Sequence, residues 1–152
     1  MSSKRMKTPI SALLKRKPTA LRSVPPTATV REAIEIMNTH RVGCVIILEN
    51  DRLAGIFTER DVVTRVAGAD LDPRRTRIAA VMTPHPHIVS PLTPIEEAMF
   101  LISERRVRQL PVIENECVVG LVSIGDINKW VLENLKFEAD SLRSYVCGGY
   151  PG

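Results

Sequence analysis

Aromatic residues are scarce in this chain, since phenylalanine, tryptophan and tyrosine together make up 4% of its 152 residues. A hydrophobic core must therefore be aliphatic, and few rings are available to stack on nucleic-acid bases. Apolar runs are short as well: none approaches the roughly 20 residues that cross a bilayer, and no hydrophobic signal segment follows the start. We expect a chain that does not span or enter a membrane.

Cysteines are few and odd in number. Cys44, Cys117 and Cys147 lie far apart, and the first two fall within apolar, strand-like runs. A free thiol in such a run behaves as a small hydrophobic group, so the pattern does not indicate a disulfide framework. It favours a reducing compartment, the cytoplasm.

Catalytic signatures are missing too. The chain has no Walker loop, nucleophile elbow, paired-carboxylate signature or glycine-rich dinucleotide loop. His85 and His87 stand without the cysteine or carboxylate partners of a metal site. We predict a protein that is not an enzyme and has no metal site.

What the sequence does contain is a repeat. Residues 24–62 align with residues 89–127 at an offset of 65 without a gap, and ten of the 39 aligned pairs are identical. Both copies end in a glycine, a hydroxyl residue and an aspartate at fixed spacing. These trios are Gly55, Thr58 and Asp61, then Gly120, Ser123 and Asp126. A duplicated polar trio predicts two related sites about a pseudo-twofold axis.

The hydrophobic pattern predicts an α+β fold in which each copy reads strand, helix, strand, strand, helix. Thr29 with Glu32 predicts a capping box, and the apolar run Val42–Glu49 predicts a buried strand. A helix from Asp126 should be followed by a further helix through Leu142. The predicted segments are 1–7 (disordered basic N-terminus), 8–68 (first repeat), 69–77 (linker), 78–135 (second repeat) and 136–152 (C-terminal helix and tail).

The trio suits a ribose phosphate. An aspartate at a helix start can accept hydrogen bonds from ribose hydroxyls, and the helix N-terminus favours a phosphate. Arg60 adds an always-charged donor. The alternative is purely structural: Asp61 and Asp126 are N-caps, and Thr58 and Ser123 are strand-to-helix corners.

These motifs resemble a known family, the tandem pair of CBS (cystathionine β-synthase) domains called a Bateman module. The resemblance covers roughly residues 8–135. It rests on the repeated trio, on T-V-R-E-A-I from Thr29 with T-P-I-E-E-A from Thr93, and on Val81-Met82-Thr83-Pro84 before the second copy. It implies two repeats packed by pseudo-twofold symmetry through their small sheets, a homodimer, and pockets shared between the repeats.

The resemblance implies two nucleotide pockets, each formed by the trio of one repeat and the first strands of the other. The first pocket would comprise Ile56, Thr58, Arg60, Asp61, His87, Val107, Arg108 and Gln109. The second would comprise Lys17, Arg22, Val42, Gly43, Cys44, Leu121, Ser123 and Asp126. Because Gly125 stands in the second repeat where the first repeat has Arg60, we rank the first pocket ahead.

The functional hypothesis is a regulatory module that senses AMP, ADP or ATP, with NAD(H) or S-adenosylmethionine less favoured, and that acts on a partner the sequence does not identify. Two alternatives stay open. One is nucleic-acid binding through a basic N-terminal arm, because residues 1–30 contain seven lysines and arginines and no acidic residue. The other is a purely structural dimerisation module.

Overall fold

The computed structural model describes residues 6–16 and 21–148. The elements are α1 (Ile10–Arg16), β1 (Ser23–Val24), α2 (Val30–His40), β2 (Cys44–Glu49), β3 (Arg52–Thr58), α3 (Glu59–Asp61) with a π-helical turn (Val62–Ala67), α4 (Ile78–Val81), β4 (Thr83–Pro84), α5 (Ile95–Arg105), β5 (Gln109–Glu114), β6 (Cys117–Ser123) and α6 (Ile124–Gly148). The predicted α+β class is confirmed. Most of the predicted disordered N-terminus (residues 1–5), Lys17 and the tail from residue 149 lie outside the described residues.

The described residues divide into two compact units. Unit 1 comprises residues 6–16, 89–110 and 122–148, and unit 2 comprises residues 21–88 and 111–121. Within this part of the chain, no helix is both long and apolar enough to cross a membrane. The units follow packing, so their limits differ from the limits of the two sequence repeats.

Unit 2 contains a four-stranded sheet in the order β1-β2-β3-β4. β1 runs parallel to β2, while β2 with β3 and β3 with β4 are antiparallel. The hairpin between β2 and β3 turns at Asn50 and Asp51, whose φ angles of 52° and 61° lie in the left-handed region, which asparagine and aspartate tolerate better than most residues. Strand β2 is buried from Cys44 to Ile47, as its apolar run predicts.

Helix α2 packs on this sheet, and a capping box fixes the residue at which the helix begins. Thr29 Oγ1 accepts a hydrogen bond from Glu32 N at 3.2 Å, and Thr29 N donates to Glu32 Oε2 at 3.1 Å. The predicted capping box is therefore confirmed, and each partner satisfies one backbone group that the helix leaves open. The apolar face of α2 then buries Val30, Ala33 and Met37 against the core of unit 2.

The residues that precede the first strand of each repeat pack beside the helix of the other repeat. In unit 2, Val30 N donates to Thr76 O at 2.9 Å and Ile78 N donates to Ala28 O at 2.7 Å. The counterparts of Ala28 and Val30 at the offset of 65 are Thr93 and Ile95. In unit 1, Ile95 N donates to Thr8 O at 2.9 Å, and Ile10 N donates to Thr93 O at 2.8 Å. Residues 8–16, which the sequence places in the first repeat, therefore pack with the second.

Helix α6 is one uninterrupted helix of 25 residues, from Ile124 to Gly148. The sequence pattern predicted two successive helices in this region. The structure joins them because neither glycine nor proline stands between Gly125 and Gly148, so nothing breaks the backbone hydrogen-bond ladder.

The close approach of β3 and β4 generates a first prediction. A Cβ atom at Gly55 would lie 2.7 Å from Met82 Sδ and 2.7 Å from the backbone oxygen of Thr83. Since a backbone oxygen paired in a sheet cannot easily move, Gly55→Ala should lower the free energy of unfolding by about 1–3 kcal/mol. Urea denaturation followed by circular dichroism measures this change.

Gly125→Ala is the matched control. Its Cβ would meet only Ser123 Oγ, at 3.6 Å, and alanine is the better helix former by about 1 kcal/mol. Gly125→Ala should therefore be neutral or stabilising. Equal losses in the two variants would show that steric crowding at Gly55 is not the cause.

Candidate functional site

The candidate site in unit 2 lies where β3 ends and α3 begins. Thr58 N donates to Asp61 Oδ2 at 2.9 Å, and Thr58 Oγ1 donates to the same oxygen at 3.1 Å. The lone pairs of Thr58 Oγ1 in turn accept a hydrogen bond from Asp61 N at 3.3 Å. This is a capping box with aspartate in the place of glutamate. Thr58 is therefore the N-cap of α3, and the expectation that Asp61 is the N-cap is wrong: Asp61 is the third residue of α3, and its side chain is the reciprocal partner in the box.

A second contact holds the other carboxylate oxygen of Asp61. Arg65 Nε lies 3.6 Å from Asp61 Oδ1, and the Arg65 guanidinium donates to the backbone oxygen of Met82 at 3.0 Å. Arg65 belongs to the π-helical turn, a rare geometry that often occurs at functional sites. Asp61 is only 7% exposed. Its carboxylate is therefore nearly enclosed, with Thr58 beside one oxygen and Arg65 beside the other.

The start of β2 forms the opposite wall of this corner. Cys44 is the strand partner of Thr58, and Glu59 N donates to the backbone oxygen of Gly43 at 3.0 Å. The side chain of Arg60 is exposed. Gly43 and Cys44, which were expected in the second pocket, thus adjoin Thr58 within unit 2.

Unit 1 contains the same corner. Ser123 N donates to Asp126 Oδ2 at 2.9 Å, and Asp126 N donates to Ser123 Oγ at 3.1 Å. Ile124 N donates to the backbone oxygen of Arg108 at 2.8 Å. Arg108 and Ile124 correspond to Gly43 and Glu59 at the repeat offset, so even the backbone contact of the corner is duplicated.

The two corners differ one helical turn beyond the aspartate. The counterpart of Arg65 is Trp130, whose indole Nε1 is buried and finds no hydrogen-bond acceptor among the described residues. The Arg16 guanidinium lies 4.6 Å from the centre of the Trp130 ring and its Nη1 lies 3.5 Å from Glu133 Oε2. At least this member of the basic N-terminal arm is therefore held within unit 1. Asp126 is also more exposed than Asp61.

The remaining predicted residues differ in how far their side chains are exposed. His87 and Arg108 are exposed, whereas Arg22, Val42, Val107, Gln109 and Leu121 are partly buried and Ile56 is buried. Lys17 lies outside the described residues. The structure gathers Thr58, Asp61, Gly43 and Cys44 in unit 2, and Ser123, Asp126 and Arg108 in unit 1. The assignment to two shared pockets stays a prediction.

Arg65 was not among the site residues predicted from the sequence. An aspartate and an arginine four residues apart on a helix can form an ion pair, so the spacing of Asp61 and Arg65 contained a signal for this contact.

Metal binding gains no support from the structure. Within residues 6–16 and 21–148, no group of three histidine, cysteine or acidic side chains is placed to hold an ion.

Comparison with known proteins identifies the family. The model of the CBS domain matches residues 10–68 and 78–133. The chain belongs to the CBS domain family and carries two such domains in tandem, the arrangement of a regulatory module.

Individual relatives agree with this membership. The chain is 34% identical over 127 residues to the CBS domain-containing protein CBSX3, mitochondrial, of Arabidopsis thaliana; the match covers 80% of this chain and 62% of that protein. The chain thus spans less than two thirds of that relative's length.

Solved structures with the same fold include a protein with CBS domains from Burkholderia ambifaria MC40-6, with a TM-score of 0.80 and 33% identity, covering 83% of this chain and 95% of that one. They also include the CBS domain protein PAE2072 from Pyrobaculum aerophilum complexed with AMP, with a TM-score of 0.69 and 25% identity, covering 78% of this chain and 88% of that one.

The geometry of the corner in unit 2 generates a second prediction. Thr58→Val keeps the β-branched shape but removes the hydroxyl that bonds Asp61, so the free energy of unfolding should fall by about 1–2 kcal/mol. Thr64→Val is the control, because Thr64 is exposed and, among the described residues, its hydroxyl bonds only the backbone oxygen of Arg60, at 2.9 Å.

Thr64→Val should change stability by no more than about 0.5 kcal/mol. Chemical denaturation of both variants measures the difference. If Thr58→Val proves as harmless as Thr64→Val, the capping box does not contribute measurably to stability.

Proposed function

We propose that this protein is a regulatory module that binds an adenosine nucleotide, AMP, ADP or ATP, in a cleft between its two CBS repeats. The observation that supports it most is the recurrence of one corner, with the same hydroxyl, carboxylate and backbone contacts, in both repeats. A relative of the same fold is complexed with AMP, which favours an adenine nucleotide over other ligands.

The chemistry of the corner supports a ribose contact even though its aspartate already caps a helix. Each carboxylate oxygen can accept more than one hydrogen bond. In Asp61, Oδ2 accepts from Thr58, but Oδ1 meets Arg65 only at 3.6 Å, which is too long for a hydrogen bond. Oδ1 therefore keeps the capacity to accept from a ribose hydroxyl, as the capping box fixes the carboxylate in position.

A phosphate contact is assigned to Arg60 in the first pocket. Its guanidinium is exposed, and no hydrogen bond or ion pair joins its side chain to another of the described residues. A guanidinium that no carboxylate neutralises can bind phosphate oxygens with two parallel hydrogen bonds. Arg108 would act from the other repeat, and Ile56 with Val107 would hold the base.

Regulation follows if the nucleotide binds one arrangement of the module more tightly than another. A ligand shifts such an equilibrium only by its differential affinity for the two states. The regulated protein is then a partner that recognises the ligand-bound arrangement. We propose the cytoplasm as the compartment of this protein, because its three cysteines are odd in number and far apart, a pattern that does not indicate a disulfide framework.

The nucleotide proposal generates a third prediction. Arg60→Ala should weaken AMP and ATP binding roughly tenfold, the usual scale for one charge-assisted hydrogen bond, with little change in thermal stability. Isothermal titration calorimetry on the folded variant measures the affinity. Arg74→Ala, which removes another exposed arginine outside the predicted pockets, should leave the affinity unchanged.

One result would refute the proposal, and another would refute only the choice of the first pocket. Wild-type protein that binds none of the three nucleotides at millimolar concentration has no such site. Binding that persists unchanged in Arg60→Ala but is lost in Asp126→Asn would move the site to the second pocket. Asp61→Ala is a poor first test, because the same substitution removes a helix cap.

We further propose that the protein is a homodimer. The helices that follow the two trios leave large apolar side chains exposed, including Val63 at 67% and Leu132 at 66%, and such surfaces are typical of contacts between subunits. Multi-angle light scattering at tens of micromolar should give twice the chain mass of 16.9 kDa. A strict monomer at that concentration would refute the dimer.

A further inference from the structure

Arg65 joins two parts of unit 2 that are distant in the sequence. Its side chain is 47% exposed, whereas the side chain of Asp61 beside it is 10% exposed. Arg65 Nη1 donates to the backbone oxygens of Met82 at 3.0 Å and of Val81 at 3.4 Å, while Arg65 Nε faces Asp61 Oδ1 at 3.6 Å. One planar group therefore lies against both the carboxylate of the corner and the end of α4.

The carbonyl groups that bind Arg65 fix its guanidinium in place. Val81 is the last residue of α4 and Met82 is its C-cap, and carbonyl groups at a helix end have no partner within the helix. The next residues, Thr83 and Pro84, pair with β3. The guanidinium is thus bound to backbone that is itself anchored to the sheet, and this anchoring keeps Nε directed at Asp61.

The corner does not need this arginine in order to form. In unit 1 the bonds of the box between Ser123 and Asp126 measure 2.9 and 3.1 Å, against 2.9 and 3.3 Å for the corresponding bonds in unit 2. The box of unit 1 closes although Trp130 stands at the position of Arg65. Building the corner therefore does not explain the arginine of unit 2, and its contacts indicate a second role.

The π-helical turn that contains the arginine also distinguishes the two units. A bond from Gly68 N to Val63 O at 2.8 Å closes this turn, whereas the matching stretch of unit 1 is part of the α-helix Ile124–Gly148. A Cβ atom at Gly68 would lie 2.9 Å from the backbone oxygens of Val63 and Thr64, and the counterpart of this glycine in unit 1 is Glu133. Glycine thus permits a turn of a kind that often occurs at functional sites.

The two carboxylate oxygens of Asp61 have different surroundings. Oδ2 accepts from the backbone N–H and from the hydroxyl of Thr58. Oδ1 faces Arg65 at 3.6 Å, a distance at which the charges attract but no hydrogen bond forms. This attraction fixes the orientation of the carboxylate and leaves Oδ1 able to accept. Because the charges of Asp61 and Arg65 offset each other, the corner favours a neutral hydroxyl donor over a cation.

We infer that Arg65 is a positioning residue of the nucleotide site at this corner, and that by fixing Asp61 Oδ1 it makes the site select ribose over deoxyribose. The inference rests on the proposed nucleotide binding and names the residue that sets which sugar the site accepts. Arg65 acts through Asp61 and not by touching the ligand. A deoxynucleotide lacks one of the two vicinal hydroxyls, so it leaves an acceptor of a nearly enclosed carboxylate without its donor, which costs more than a lost contact in water.

A comparison of sugars on the full chain tests this role. Isothermal titration calorimetry gives the dissociation constants of AMP, 2′-deoxy-AMP and 3′-deoxy-AMP, and the selectivity is the constant of the weaker deoxy analogue divided by that of AMP. The wild-type selectivity should be at least roughly tenfold, and Arg65→Gln should lower it to about twofold. Both constants come from the same folded variant, so a loss of stability alone does not change their ratio.

Arg65→Lys separates position from charge. Lysine keeps the positive charge, but its single ammonium group lacks the planar fork that faces the carboxylate and the carbonyl of Met82 with different nitrogens. Selectivity should therefore fall at least roughly threefold, and full wild-type selectivity in this variant would overturn the positioning role. Arg31→Gln is the matched control, because Arg31 is 49% exposed, its Nε pairs with Glu35 Oε1 at 3.0 Å four residues on, and it lies outside the predicted pockets. This control should keep the wild-type selectivity.

A pair of variants tests whether Arg65 acts through the carboxylate. Asp61→Asn keeps an oxygen that can accept in the box but removes the charge that Arg65 faces. Adding Arg65→Gln to Asp61→Asn should leave the dissociation constant of AMP unchanged. A further weakening of roughly fivefold or more would show that Arg65 contacts the ligand itself, and would overturn the inference.

The outcomes separate this inference from the function on which it rests. A wild type that binds none of the nucleotides refutes nucleotide binding, and the role of Arg65 with it. AMP binding whose selectivity Arg65→Gln leaves unchanged refutes only the role of Arg65. Equal wild-type affinity for AMP and both deoxy analogues refutes the ribose contact, and with it the inference, while nucleotide binding stands.

Discussion

The fold depends on a reciprocal hydrogen-bonded pair at the point where a strand turns into a helix. A hydroxyl three residues before an aspartate accepts the aspartate's backbone N–H, while the carboxylate accepts from the backbone N–H of the hydroxyl residue. This pair satisfies groups that a helix start leaves open. It also fixes the direction of the helix relative to the strand. Because the pair is local, it could be copied with the repeat while the apolar residues around it changed.

The two copies diverge at the residue one turn beyond the aspartate. Arg65 joins the carboxylate of Asp61 to the carbonyl of Met82 and so ties the corner of unit 2 to the end of α4. Trp130 at the same position is buried and is covered by Arg16 from α1. One corner thus has an ion-paired arginine four residues beyond its aspartate, and the other has a buried indole at the same position. Equivalent caps thus lie in different surroundings, with a charged side chain near one aspartate and an uncharged ring at the matching position of the other copy. A duplicated motif therefore need not give two equivalent sites.

The local features were predictable from the sequence and the long-range ones were not. The capping box of Thr29 and Glu32, the buried strand β2 and the corners at Thr58 and Ser123 each depend on residue types at short spacing, which the sequence displays directly. The packing of residues 8–10 beside Thr93 and Ile95 uses backbone hydrogen bonds. Almost any residue type can form such bonds, so the sequence does not reveal them. The spacing of Asp61 and Arg65 is visible in the sequence, but the hydrogen bonds from Arg65 to the carbonyls of Val81 and Met82, 16 and 17 residues away, are not. The continuity of α6 was missed because the pattern changes from a covered face to an exposed one, which resembles a new helix.

The double role of the corner limits how ligand binding can be read from stability. If a carboxylate both caps a helix and accepts a ribose hydroxyl, its removal lowers the stability of the free protein and the affinity for the ligand together. A ligand that binds only the folded state raises stability by an amount set by its concentration and dissociation constant, so a lost thermal shift in such a variant has two explanations. The exposed guanidinium of Arg60 has no part in the cap, and its contribution can be separated from folding. A residue that is free in the unliganded fold is therefore a better reporter of function than the residues that the repeat preserves, because the preserved residues are those on which folding already depends.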